Sequence, residues 1–100
     1  MAITIKDMRD YPVLMKELRW LMENQGDENV IRSIRDKIAE VDRFIYSIDD
    51  PIVRMGIRYV FLEDRTWLNA AIKIGGNNTA ESVKRMCYRY IEKAQKKKGD

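Results

Sequence analysis

The chain has 100 residues, of which 45% are hydrophobic and 35% are charged, and this length suits one domain or one domain with a helical arm. It contains no histidine and a single cysteine, Cys87. Because histidine is the commonest general base and a frequent zinc ligand, we expect no enzyme activity and no metal or other cofactor. One cysteine cannot form an intramolecular disulfide, which fits a reducing cytoplasm. No apolar run approaches the ~20 residues that cross a bilayer, so no membrane partner is expected.

The net charge of +3 hides an uneven distribution of charge along the chain. Residues 1–50 contain 8 Lys/Arg and 11 Asp/Glu, a balance of −3, whereas residues 51–100 contain 11 and 5, a balance of +6. A basic half beside an acidic half suggests that only the C-terminal part meets a polyanion. An ordinary solvated basic helix explains the same counts equally well.

The N-terminal part, residues 1–48, is expected to form a helical arm. Helix-favouring residues dominate the whole chain and no stretch alternates with period two, so the predicted fold class is all-α. After a short capped turn at residues 4–7, the first helix is expected from Pro12 to about Asn24. Asp27 is then the expected cap of a second helix that runs to about residue 48.

The second helix carries an apolar seam at alternating steps of three and four residues, the a/d pattern of a coiled coil. Two arrangements explain this seam. The first helix, which repeats the rhythm at Tyr11, Leu14, Leu18 and Leu21, can cover it in an antiparallel hairpin. Alternatively, two subunits pair through it. In the second case the dimerisation residues are Ile31, Ile34, Ile38, Val41 and Ile45.

Residues 49–97 are expected to form a second helical unit, followed by a frayed tail at residues 98–100. The sequence Asp49-Asp50-Pro51 predicts a helix start, because a carboxylate caps the helix and proline suits its first position. This third helix is expected to run to about Leu62. Gly56 in its middle indicates a close crossing with another helix.

Two more helices and a glycine turn follow, in the order of a helix-turn-helix motif. Thr66 is expected to cap the fourth helix, which begins at Trp67. The turn contains Gly75 and Gly76. The fifth helix is expected from Thr79 to about Gln95.

The fifth helix has two unlike faces. Its apolar stripe consists of Val83, Met86, Cys87, Tyr90, Ile91 and Ala94, which makes the cysteine a small core hydrophobe. The other face is polar and basic, as a recognition helix requires. Basic side chains there can reach guanine acceptors or phosphates, and Glu81 can accept from cytosine N4. The expected DNA contacts are Thr66, Lys73, Thr79, Glu81, Ser82, Lys84, Arg85, Tyr88, Arg89 and Lys93.

The segment from Asp50 to Lys93 resembles region four of bacterial sigma factors and the small phage regulators of the ArpU and RinA kind. The matching residues are Arg58-Tyr59, Glu63-Asp64, Thr66-Trp67, Ala71, Gly75, Thr79 and Val83. The turn before Thr79 is longer than in that family. The resemblance implies a sequence-specific DNA-binding regulator of phage or prophage transcription that binds double-stranded DNA, forms a homo-oligomer (a dimer by preference) and works with RNA polymerase.

Two other functions fit the same residues. A small terminase-like packaging protein also combines a helix-turn-helix with a helical arm. A helical adaptor that binds RNA polymerase without touching DNA needs only the charged surfaces.

Overall fold

The computed structural model describes the backbone of residues 3–99 and the side chains of residues 3–96. Over this range the chain is helical and contains no strand, so the predicted all-α class is confirmed. The helices are α1 (Ile5–Glu23), α2 (Glu28–Tyr46), α3 (Pro51–Ile57) with a π-helical turn at its end (Arg58–Leu62), α4 (Trp67–Ile74) and α5 (Ala80–Gly99). None of the helices described has the length and apolarity that a bilayer crossing requires.

The first helix, α1, begins at Ile5, so the predicted start at Pro12 is wrong. The Thr4 hydroxyl accepts from the Asp7 amide at 3.1 Å, and the Asp7 carboxylate accepts from the Thr4 amide at 3.0 Å. This bond from the Thr4 amide lowers the pKa of Asp7, and Lys37, 2.9 Å away, adds to the effect. The reciprocal cap and the fully buried Met8 stabilise the first turns, so the helix tolerates Pro12 in its interior.

The seam of α2 is buried against α1 within a single chain. The exposed fractions of Ile31, Ile34, Ile38, Val41 and Ile45 lie between 0% and 9%. The fold therefore shows the intramolecular hairpin, and the dimerisation role predicted for these five residues is corrected. Their apolar surface is already covered within the single chain, and at most 9% of any of the five side chains remains for a second subunit.

The helical arm and the C-terminal unit share one hydrophobic core. Met8, Val41, Ile45 and Ile48 of the arm belong to the same buried cluster as side chains from α3, the π-helical turn, α4 and α5. Those partners are Val53, Ile57, Val60, Phe61, Ala70, Ala71, Val83, Cys87 and Ile91. The arm is therefore the platform on which the last three helices pack.

The predicted starts of α2 and α3 are confirmed by their caps. The Asp27 carboxylate accepts from the amide of Asn29 at 2.7 Å. The Asp50 carboxylate accepts from the Ile52 amide at 2.9 Å, with Pro51 at the first position of α3. The predicted third helix is continuous to Leu62, but its last turn is π-helical.

The last two helices also begin where the sequence predicts. The Thr66 hydroxyl accepts from the Asn69 amide at 3.0 Å and starts α4. Thr79 and Ser82 form a reciprocal cap at α5, with hydroxyl–amide distances of 3.0 and 3.1 Å. The helix α5 continues to Gly99, past the predicted end at Gln95. The frayed tail predicted for residues 98–100 is therefore helical as far as Gly99, and Asp100 lies outside the described residues.

Gly56 is buried where α3 crosses α5, as its place in the sequence predicted. A Cβ atom there would lie 2.8 Å from Cys87 Sγ and 2.8 Å from Val83 Cγ1. We expect Gly56→Ala to lower the free energy of unfolding by about 1–3 kcal/mol, because a packed core has no room for an added methyl group. Urea unfolding followed by circular dichroism measures this change. Ser33→Ala on the exposed side of α2 is the control, and a variant as stable as that control would contradict the close crossing.

Candidate nucleic-acid interface

The helices α4 and α5 are joined to α3 by small and aromatic side chains. Ala70 and Ala71 of α4 are 0% and 4% exposed, and their size lets the neighbouring helices approach closely. The ring of Trp67 lies edge-on to Phe61 with centroids 5.7 Å apart, and its centroid is also 5.7 Å from that of Tyr88 on α5. The first residue of α4 is thus fixed against α5.

Cys87 lies on the buried stripe of α5 and is fully buried, which confirms its predicted place in the core. Its thiol donates a weak hydrogen bond to the Val53 carbonyl, with Sγ and oxygen 3.7 Å apart. Burial raises the pKa of the thiol from 9.0 to about 12, and the charge of Asp50 adds to this rise. A neutral, enclosed thiol is a poor nucleophile.

We expect Cys87 to react with Ellman's reagent only when the protein unfolds. The raised pKa lowers the thiolate fraction below pH 9 by about 1000-fold, and burial removes access as well. Since the folded pKa is the higher one, this group's contribution to stability is complete below pH 9 and is lost as the pH rises towards 12. Colour development with and without urea measures the reaction. Equal rates in both conditions would contradict the burial.

The surface of α5 that points away from the core is predominantly basic. The exposed side chains of the described part of α5 are Glu81, Lys84, Arg85, Arg89, Glu92, Lys93, Gln95 and Lys96. We call the five of them that were predicted to contact DNA, Glu81, Lys84, Arg85, Arg89 and Lys93, the outer face of α5. Within the described part of α5, Lys96 forms an ion pair with Glu92, with nitrogen and oxygen 3.4 Å apart. The four cations of the outer face have no carboxylate partner within the described residues. Their charge is therefore available to an external anion.

Four of the other predicted DNA contacts have structural roles, of which the sequence predicted the cap at Thr66 but not the other three. Thr66, Thr79 and Ser82 use their hydroxyl groups in the helix caps. Tyr88 is half-buried, with its ring centroid 6.1 Å from that of Phe61. Five of the ten predicted contacts are thus exposed side chains on one helix that take no part in a helix cap.

Lys73 lies on α4, apart from the outer face of α5. Its Nζ is 6.0 Å from the centre of the Tyr59 ring, and Arg65 approaches the same ring at the same distance. The guanidinium of Arg65 also donates to Glu63 at 2.9 Å and to Asn69 at 3.2 Å. Sequence reasoning did not single out Arg65, because its position beside the tyrosine depends on the π-helical turn.

Two large apolar side chains on α4 were also missed. Leu68 is 62% exposed and Ile72 is 69% exposed. Their spacing of four residues, outside the stripe of Trp67, Ala70, Ala71 and Ile74, was the available signal. They form an exposed apolar part of the surface of α4.

No protein family, characterised protein or solved structure matches this chain. Within the described residues, no three cysteine, aspartate or glutamate side chains converge as metal ligands would. The arrangement of α4 and α5 and the charge of the outer face are therefore the observations from which function is argued.

Proposed function

We propose that this protein is a sequence-specific DNA-binding regulator of phage or prophage transcription, in which α5 is the recognition helix. The observation that carries this proposal is the row of exposed cations on the outer face of α5, none of which has a carboxylate partner among the described residues. Duplex DNA offers a matching row of phosphates, and its major groove admits one helix. The resemblance to region four of sigma factors provides the transcriptional setting in the cytoplasm.

In this proposal, side chains in the first turns of α5 contact the DNA bases. Arg85 follows Glu81 by four residues, so both lie on one side of the helix in successive turns. An arginine in the major groove pairs with guanine O6 and N7, and a glutamate accepts from cytosine N4. Lys84, which is also exposed, is the second candidate for a guanine contact.

In this proposal, side chains in the later part of α5 and on α4 contact the DNA phosphates. Arg89, Lys93 and Lys96 are exposed along the helix and supply affinity that does not depend on sequence. Lys73, in the last turn of α4, and Thr66, at its capped start, are proposed to hold the motif on the DNA backbone. Homo-oligomerisation and contact with RNA polymerase belong to the same proposal.

Selection of bound duplexes from a random pool tests the proposal directly. We expect an enriched site and an affinity that falls with salt, with a slope of about −4 in log–log form if four cations meet phosphates. A pool with no enriched sequence would leave only non-specific binding. The absence of salt-dependent binding would favour the adaptor function instead, and a ring of many subunits in solution would favour packaging.

A further inference from the structure

The side of α1 that points away from α2 carries two large exposed apolar residues. Val13 is 65% exposed and Trp20 is 60% exposed. They are seven residues apart, so they lie one above the other on the same side of a continuous helix. No other residue in the described part of the chain covers them, although another side of α1 packs on the seam of α2.

Charged residues flank these two positions with the same spacing of seven. The residues before and after the stripe form a basic edge at Arg9 and Lys16 and an acidic edge at Asp10 and Glu17. Together we call Arg9, Asp10, Val13, Lys16, Glu17 and Trp20 the outer face of α1.

The two charged residues of the outer face of α1 that lie between Val13 and Trp20, Lys16 and Glu17, have no ion-pair partner within the described part of the chain. Both are exposed. By contrast, Asp10 is held by Lys6 at 2.7 Å, and the guanidinium of Arg9 lies 4.8 Å from the centre of the Phe61 ring. Lys16 and Glu17 are therefore available to form ion pairs with a second molecule.

The pattern of charge fits a second copy of this chain in one orientation. When two such helices lie parallel around a two-fold axis, the basic edge of each faces the acidic edge of the other. An antiparallel pair would place Lys16 beside the same lysine of the other copy and Glu17 beside the same glutamate. We propose that the protein dimerises through the outer face of α1, with α1 parallel to its counterpart.

In this dimer Val13 and Trp20 each pack on the same residue of the partner, and Lys16 pairs with the partner's Glu17. The surface is small, with two apolar layers. We therefore expect a dimer that depends on protein concentration, at the weak end of specific interfaces. This proposal does not depend on DNA binding, because it uses a face of the arm that is distinct from α5.

Sedimentation velocity without DNA, over a range of protein concentrations, tests the interface. We expect the mass to rise from 11.9 kDa towards twice that value. Trp20→Glu should remain at 11.9 kDa at every concentration. Tyr46→Glu is the control, since Tyr46 is 73% exposed and lies on α2. A wild-type protein that stays monomeric would overturn the proposal, and so would a dimer that Trp20→Glu leaves unchanged.

Charge reversal and cross-linking test the orientation. Lys16→Glu should weaken the dimer by about fivefold, since it replaces two exposed ion pairs with repulsion, and adding Glu17→Lys should restore it. Val13→Cys should form a disulfide between two copies under mild oxidation, because parallel helices place identical residues side by side. The buried Cys87 should not interfere. Failure of both the charge rescue and the cross-link would overturn the parallel arrangement, whatever the outcome of DNA selection.

Discussion

Replacing Phe61 with alanine is expected to remove about 3–5 kcal/mol from the free energy of unfolding. Phe61 is 1% exposed and is among the largest fully buried side chains described. Its ring contacts those of Trp67 and Tyr88, and Arg9 lies over it. Its removal therefore leaves a cavity where the arm, α4 and α5 meet. A domain of this size is stable by about 5–15 kcal/mol, so the loss removes at least about a fifth of the total free energy of unfolding.

Thermal and urea unfolding followed by circular dichroism provide the measurement for Phe61→Ala. The loss corresponds to a decrease in Tm of at least about 12 °C for a domain of this size. Tyr46→Ala is the matched aromatic control, since that ring is 73% exposed. It should change stability by less than about 1 kcal/mol, because its ring has a cation–π contact with Arg58, 5.7 Å from the ring centre. Similar losses for the two variants would mean that Phe61 is not at the centre of the core.

Replacing Arg85 with alanine is expected to lower affinity for the selected DNA site by about 5- to 150-fold while random duplexes lose much less. The basis is the proposed bidentate contact between Arg85 and guanine, because such a contact contributes about 1–3 kcal/mol of discrimination. Arg85 is exposed in the second turn of α5 and has no ion-pair partner among the described residues. Folding should be unaffected, because its side chain lies outside the core.

The matched control for Arg85→Ala is Lys93→Ala on the same helix, two turns further on. Lys93 is exposed and is proposed to meet a phosphate, so its loss should weaken binding to all duplexes by a similar factor and reduce the salt slope by about 1. Titrations of selected and random duplexes at several salt concentrations separate the two effects. If Arg85→Ala weakened both duplexes equally, base reading by Arg85 would be excluded.

The sequence alone determined where four of the five helices begin. Asp27, Asp50 and Thr66 cap helices as predicted, and α5 begins at Ala80, directly after the predicted first residue Thr79. A cap forms between a side chain and an amide two or three residues later, so its signal is contained in a few neighbouring letters. The buried stripe of α5 was predictable for the same reason, since helical periodicity is local.

The start of α1 was also encoded, by the capping box at Thr4, but Pro12 gave a competing signal. Proline is favoured at the start of a helix and is unfavourable in its interior by about 3 kcal/mol. The residues around Pro12 do not decide between the two positions. Burial of Met8 in the shared core contributes the free energy that extends the helix through the proline.

The candidate site, too, was predictable from the sequence in part, and the rest depends on tertiary packing. Its place on α5 and its five exposed members, Glu81, Lys84, Arg85, Arg89 and Lys93, follow from periodicity in the sequence. The packing of Tyr88 against Trp67 and the use of Ser82 in a cap do not, because periodicity places Tyr88 near the edge of a face and gives no information about its neighbour.

What the sequence by itself determined is thus the all-α class, most of the helix starts and the unequal faces of α5, because each depends on residues close together in the chain. The tertiary structure alone decided what covers the seam of α2 and which apolar residues remain exposed. An a/d pattern specifies a helical partner but not the molecule that provides it. Here α1 provides it from within the chain, and in doing so it leaves Val13 and Trp20 on the surface.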